Sequence, residues 1–250
     1  MRYTRTVTVA ASLAAAAMLL TACGTGTAAP GADAGGDTDL NARETGFRTF
    51  TADNGAFFLN GREIYLRAVL DQDYHPGGTS AADDLAAWED LLRQTKALGF
   101  NMLRVHIKRP DPRYYEIADR LGLLVWTELP SWMTWTPDAA AAGHALLRSF
   151  IDRDAHHPSI VIWTIMNESW GIDLADADQR AWLHEVFDDI EQHAAGSLVV
   201  DNSACEPNFH LRTHIDDYHV YRGIPESRGG LGCQDRRLRL TPAVDVLAAR

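Results

Sequence analysis

This 250-residue sequence predicts an α/β fold organised around a parallel sheet. Three observations predict it. Apolar runs of strand length alternate with amphipathic stretches of helix length, joined by short connections. One run, "IVIWTIMNESW" from Ile160 to Trp170, is apolar in six of its first seven residues, as a strand covered on both faces should be. Polar residues gather where nearly every run ends.

The chain begins with a basic n-region (Arg2, Arg5) and an apolar h-region, Val7–Leu20, too short to span a bilayer. Leu20-Thr21-Ala22-Cys23 resembles a bacterial lipobox, in which the Cys is lipidated; an ordinary signal peptide with an incidental Cys is the alternative. Residues 1–22 are thus expected to be a lipoprotein signal peptide. Cys23 is the expected lipidation site, and the membrane a partner through the lipid anchor, outside the cytoplasm. Residues 23–45, rich in Gly, Ala, Thr and Asp, have no apolar period and predict a flexible tether. Cys205 and Cys233 remain in the body, and two Cys alone are weak evidence for a disulfide.

The folded body is expected over residues 46–221. "GAFFLNGREIYLRAVL" alternates around Asn60-Gly61, a strong hairpin signal, and runs into an apolar strand over 64–70. "SAADDLAAWEDLLRQTKALGF" predicts a helix capped by Ser80 with Asp83 three residues on, and Leu85, Trp88, Leu92 and Thr95 on one face. Strand 101–107 follows; then Asp111-Pro112 opens a helix as cap and first residue, and Gly122 closes it. Strand 123–128, a helix around Ala139–Asp154, strand 160–166, a helix over Ala175–His193, strand 197–201 and strand 216–221 complete the series.

A doubly wound sheet would alternate in the same way. No glycine-rich phosphate loop follows the first strand, as a dinucleotide fold would want. The polar strand ends are where barrel enzymes place chemistry. The expectation is therefore a (β/α)8 TIM barrel, incomplete, with about six of its eight units present. Those ends carry Asp71, Asp73 and His75; Arg104 and His106; Glu128, with Trp132 and Trp135 beyond; Asn167-Glu168, with Trp170 beyond; Asp201-Asn202; and His219 and Tyr221.

A net charge of −11 without a basic stripe excludes nucleic acid as a partner. A ring of carboxylates, imidazoles and indoles suits carbohydrate: hydroxyls take bidentate polar partners and pyranose C–H faces stack on Trp. Cleaving a glycosidic bond takes two carboxyl groups, and Glu168 has the place of the acid, with Asn167 beside it able to donate to a sugar hydroxyl.

Several segments carry a family resemblance: "FFLNGREIYLRAV", "HPGG", "ALGFNMLRVHIKRPDPRYYEIADRLGLLVWTELP", "DRDAHHPSIVIWTIMNES" and "DDYHVY", together spanning Gly46–Tyr221. They resemble the catalytic barrel of glycoside hydrolase family 2, the β-galactosidases, β-glucuronidases and β-mannosidases. The resemblance implies a retaining glycosidase acting on a β-glycoside, with Glu168 as general acid/base. It implies substrate-binding roles for Asn167, His75, Arg104 and Tyr221, with Arg104 and Tyr221 near the nucleophile. Glu128 would serve the pocket floor, or a metal in some members, and His106 and Trp163 would support the pocket, by structural packing or by substrate contact; Trp170, beyond the Asn-Glu pair, is a further substrate-binding candidate. No cofactor is required, and no metal motif of recognisable spacing is present.

The family nucleophile is a Glu ending the seventh strand, and it is expected to be missing here. Residues 222–250 carry 6 Arg, have no helix or strand period, and predict an irregular tail, such as a frameshift or truncation leaves. Glu206 and Glu226 are the remaining late glutamates, and neither is well placed. The alternatives are a non-catalytic surface glycan-binding lipoprotein using Trp132, Trp135 and Trp170, or an inactive fragment.

Overall fold

The computed structural model describes residues 45–72, 85–203, 209–219 and 246–247. His75, Tyr221, Cys23, Cys205, Cys233, Glu206, Glu226 and the proposed Ser80 cap lie outside them. Three short strands come first: β1 (Phe50–Asp53), β2 (Ala56–Leu59) and β3 (Arg62–Ile64), paired antiparallel in that order. Both turns are Asn-Gly with positive φ at each residue (49° and 79° at Asn54-Gly55, 52° and 73° at Asn60-Gly61), the type I′ geometry that matches strand twist.

The strand expected over 64–70 is two strands. β3 ends at Ile64 and β4 (Ala68–Asp71) opens a second, parallel sheet. Asn101 satisfies the break: its Oδ1 accepts from the Arg67 N–H at 2.7 Å and its Nδ2 donates to the Tyr65 carbonyl at 2.8 Å. Side-chain amides of this kind compete well with a ladder.

From β4 the chain alternates without exception: α1 (Leu85–Ala97), β5 (Met102–Val105), α2 (Pro112–Leu121), β6 (Leu124–Glu128), α3 (Pro137–Asp154), β7 (Ile160–Asn167), α4 (Ala177–His193) and β8 (Leu198–Ser203). Each strand pairs parallel with the one before it. A two-residue strand, β9 (Val246–Leu247), pairs parallel with the far side of β4, so the order is β8-β7-β6-β5-β4-β9. The tail expected to be irregular thus supplies one strand, whose two residues pair with Ala68 and Val69 of β4 although they show no readable period.

Helix ends follow local rules. Asp111 caps α2, accepting from the Arg113 N–H at 3.0 Å; Pro112 stands first, and Gly122 closes the helix at φ 64°. α3 starts two residues earlier than expected, because Thr136 accepts from the Ala139 N–H at 3.0 Å and Pro137 takes the first position. Trp88, Leu92 and Thr95 of α1 are buried, whereas Leu85, expected on the same face, is exposed at the first turn.

Both faces of the parallel sheet are covered, which is why its strands read as continuous apolar runs. On one face Leu103, Val105, Val125, Trp163 and Ile165 pack against Trp88, Tyr114, Leu147, Leu183 and Phe187 of the helices. On the other, Ala68, Met102, Trp126, Ile162 and Val200 pack with Phe50 and Phe57 of the antiparallel strands. Glu128 and Asn167 are buried polar residues that end β6 and β7, and Arg104 is buried one residue before the end of β5.

Candidate active site

At the C-terminal ends of β5 to β8, one guanidinium organises a buried polar cluster. Arg104 is fully buried. Its Nε donates to Glu128 Oε1, its Nη1 to Asp217 Oδ2 at 3.3 Å, and its Nη2 to Ser203 Oγ at 2.7 Å and Asn167 Oδ1 at 3.2 Å. The guanidinium also lies over the Trp126 ring, 4.4 Å from its centroid. Arg suits this place because its planar fork reaches the ends of β6, β7 and β8 and Asp217 at once and keeps its charge when buried. Burial opposes that charge, but Glu128 and Asp217 outweigh burial and hold the group above its ordinary pKa.

Glu128 answers it. Burial pushes its carboxyl upward, and Arg104, then His106 and the Ile107 N–H (2.8 Å to Oε2), more than offset this, so it stays below the usual carboxylate range. His106 Nδ1 stands 3.3 Å from the same oxygen. The turn that delivers this N–H is strained: Ile107 has φ 43°, unfavourable for a β-branched residue.

Glu168 follows β7 directly, with φ 52°, and Ser169 repeats the left-handed conformation at 53°. Consecutive non-glycine residues there are costly and mark a turn over-determined by its surroundings. Here the surroundings are β8: Glu168 N–H donates to the Ser203 carbonyl (2.8 Å), Ser169 N–H to Asn202 Oδ1 (2.8 Å), and Asn202 Nδ2 to Ser169 Oγ (2.9 Å). The Glu168 side chain is 12% exposed, and its Oε1 lies 2.5 Å from His219 Nδ1. Asn167 spends its Oδ1 on Arg104, and its buried Nδ2 has no hydrogen-bond partner among the described residues.

Behind this row Asp217 and His210 form a second layer. Asp217 takes the Ser203 hydroxyl on Oδ2, and its Oδ1 faces His210 Nε2 at 3.3 Å. Burial works against its charge, but His210, His219 and Arg104 hold it well below the usual carboxylate range. Burial would lower His210, but Asp201 (2.7 Å) and Asp217 push it up to about 10. His219 is also raised: burial lowers it, and Asp217 and Glu168 outweigh that.

The structure thus brings together Arg104, His106, Glu128, Asn167 and Glu168 of the residues singled out in the sequence. Trp170 sits beside them on the surface, 42% exposed. Trp163 does not join them; it packs in the core on the helical side. Trp132 and Trp135 also leave the cluster, each meeting the Trp182 ring edge-on, at 5.8 and 5.0 Å between centroids. Trp132 donates from Nε1 to the Gly171 carbonyl at 2.9 Å. Strand 197–201 runs on to Ser203, and the strand expected over 216–221 is, among the described residues, a single bridge at Tyr218.

Ser203, Asp217 and His210 escaped sequence reasoning. Asp217 and His219 alternate in "DDYHVY", so one face was readable there; Ser203 gives no signal until β8 is known to reach it.

A half-built ring of parallel strands, with an Arg–Glu pair and an Asn-Glu turn at its C-terminal mouth, defines a barrel of the glycosidase class. The chain belongs to glycosyl hydrolase family 2: the model of that family's TIM barrel domain matches residues 50–189. A protein of Formosa agariphila named as a beta-glucuronidase is 32% identical over 190 residues, covering 72% of this chain and 22% of its own length. A beta-galactosidase of Alteromonas mediterranea is 31% identical over 147 residues, 54% of this chain and 14% of its own. The chain therefore spans about a fifth or less of these relatives. Among solved structures, the β-glucuronidase of Ruminococcus gnavus in complex with D-glucuronic acid superposes with TM-score 0.71 at 19% identity, covering 82% of this chain and 38% of that one. The β-glucuronidase of Parabacteroides merdae gives 0.67 at 22%, covering 80% and 27%.

Proposed function

We propose that this chain carries the acid/base half of a retaining β-glycosidase site. The observation that carries the reading is the Asn167-Glu168 turn. It presents a part-exposed carboxylate beside a buried amide donor whose Nδ2 has no described partner. In this reading Glu168 protonates the departing glycosidic oxygen and then activates water, while Asn167 Nδ2 binds a ring hydroxyl whose hydrogen bond strengthens in the transition state. Arg104 and Glu128 hold Asn167 in place. A retaining site needs a second carboxylate roughly 5 Å away. Glu128 and Asp217 are buried and tied to Arg104, so neither is free to attack carbon, and the nucleophile comes from outside the described residues. Trp170 offers a stacking face for a sugar at the rim.

The relatives named as a beta-glucuronidase and a beta-galactosidase favour a β-linked hexose or uronic acid as substrate. No helix among the described residues is long and apolar enough to cross a membrane, and the proposed attachment is a lipid on Cys23. The test is hydrolysis of aryl and natural β-glucuronides and β-galactosides by a full-length version that carries the nucleophile and by its Glu168→Gln variant. Removing the acid/base should lower turnover of natural substrates by about 10²- to 10⁴-fold. Rates independent of Glu168 refute the assignment. Glycan retention without release would favour the binding reading.

A further inference from the structure

Between α3 and α4 lies a cavity of about 500 Å³, lined by none of the residues of the Arg104 cluster. We propose that this cavity binds a small organic cation of the quaternary-ammonium class, held by two indole faces and two carboxylates. The inference goes beyond the glycosidase reading and does not rest on it.

The walls follow from helical spacing. Asp178, Trp182 and Glu185 stand at i, i+4 and i+7 on α4, so one face of that helix carries an indole between two carboxylates. The facing wall is Trp135, just before α3, with His144 on α3 itself; the small Ala140 and Ala141 between them leave the space open. Trp182 meets Trp135 at 5.0 Å between centroids, with the ring planes 78° apart. Trp132 meets Trp182 at 5.8 Å and is itself tied to the Gly171 carbonyl, so it buttresses the corner without lining it. Both indoles are thus set in place before any ligand arrives, which spares the cost of ordering them.

Shape and charge select the ligand. Two rings near a right angle form a corner, not the flat platform on which a pyranose stacks. A compact cation can lie against both, drawn by the negative face of each ring. Asp178 and Glu185 are exposed and form no ion pair among the described residues. His144, the basic side chain of the lining, is already engaged, its Nε2 2.7 Å from Asp189 Oδ2. The lining therefore carries uncompensated negative charge. A metal ion would want its ligands gathered at one point, and no group of three or more such ligands is gathered among the described residues. Carboxylates spread around a cavity of this width suit a cation with bulk.

The experiment titrates choline into the full 250-residue chain, ¹⁵N-labelled at its seven Trp, and follows the indole N–H resonances. Each resonance is assigned by its own Trp→Phe variant. Trp135 and Trp182 should shift together and saturate with a Kd of about 1 mM or below, within reach of a ligand of this size. Dimethylbutanol, the uncharged carbon isostere of choline, should bind about tenfold more weakly, since a ring–cation contact is worth roughly that factor. Asp178→Asn combined with Glu185→Gln keeps the shape and removes both charges. It should weaken choline severalfold and leave the isostere unchanged. Trp182→Ala should cost choline about tenfold; should it lose its cooperative melt, the double carboxamide variant decides. A titration that moves no indole, shifts confined to Trp170, equal binding of choline and its isostere, or an affinity indifferent to both carboxylates overturns the proposal. Phosphatidylcholine vesicles that compete with choline for the same resonances identify the source as a lipid headgroup, and their failure to compete identifies a free solute.

Discussion

The Arg104 guanidinium is stacked on Trp126 at 4.4 Å and bonded to Glu128 at its edge, so one side chain joins the apolar core to the polar strand ends. Trp126 is fixed in turn by its Nε1–H on Thr164 Oγ1 at 2.6 Å. Replacing Arg104 by Met keeps the bulk and removes the charge, leaving Glu128 and Asp217 buried without a cation. The expected loss is about 3–5 kcal/mol, read as a fall in Tm. Arg104→Lys should lie between, since one ammonium cannot reach Asn167 and Ser203 together.

The Asp201–His210–Asp217 arrangement fixes the alkaline side of the stability curve. His210 binds its proton more tightly folded, at about 10, than unfolded, at 6.5. Its contribution is fully present below pH 6.5 and is lost as pH rises through about 10. Urea unfolding across that window should show falling stability, and His210→Asn should flatten the slope.

Gly143 leaves room for an indole. A methyl group there would stand 2.3 Å from Trp132 Cζ3. Alanine at an interior helix position would normally gain about 0.5–1 kcal/mol over glycine. Here overpacking should reverse the sign, because Trp132 is held by its bond to the Gly171 carbonyl and has little room to shift. Gly143→Ala is expected to cost about 1–3 kcal/mol in denaturant unfolding.

Ile107 offers the opposite case. Its φ of 43° disfavours a β-branched side chain, while its N–H is needed by Glu128. Ile107→Asn keeps the N–H and suits the conformation, so it should raise stability by about 1 kcal/mol, measured by thermal melting.

Much of this was legible beforehand. The βα alternation, the Asn60-Gly61 turn, both ends of α2 and the Asn167-Glu168 turn each follow from rules acting within a few residues. What escaped depends on tertiary context. The break after Ile64 needs Asn101, distant in sequence, to satisfy the backbone; β9 is two residues with no pattern of their own; Ser203 and Asp217 matter only because Arg104 reaches them. Trp132 and Trp135 misled because indoles near a strand end serve a helix interface as readily as a sugar.

The left-handed turn at Glu168 and Ser169 bears on how such a chain ages under mutation. Glycine would hold that backbone with less strain. A lineage released from its chemistry is therefore expected to drift toward glycine at 168 and 169, since each such change relaxes the turn and gives up only the Asn202 bond to Ser169 or the His219 bond to Glu168. Selection for heat resistance alone would erase the carboxylate early, while leaving the barrel's apolar strands unaltered. A surviving Glu at this position is accordingly a sharper record of past use than any residue of the core.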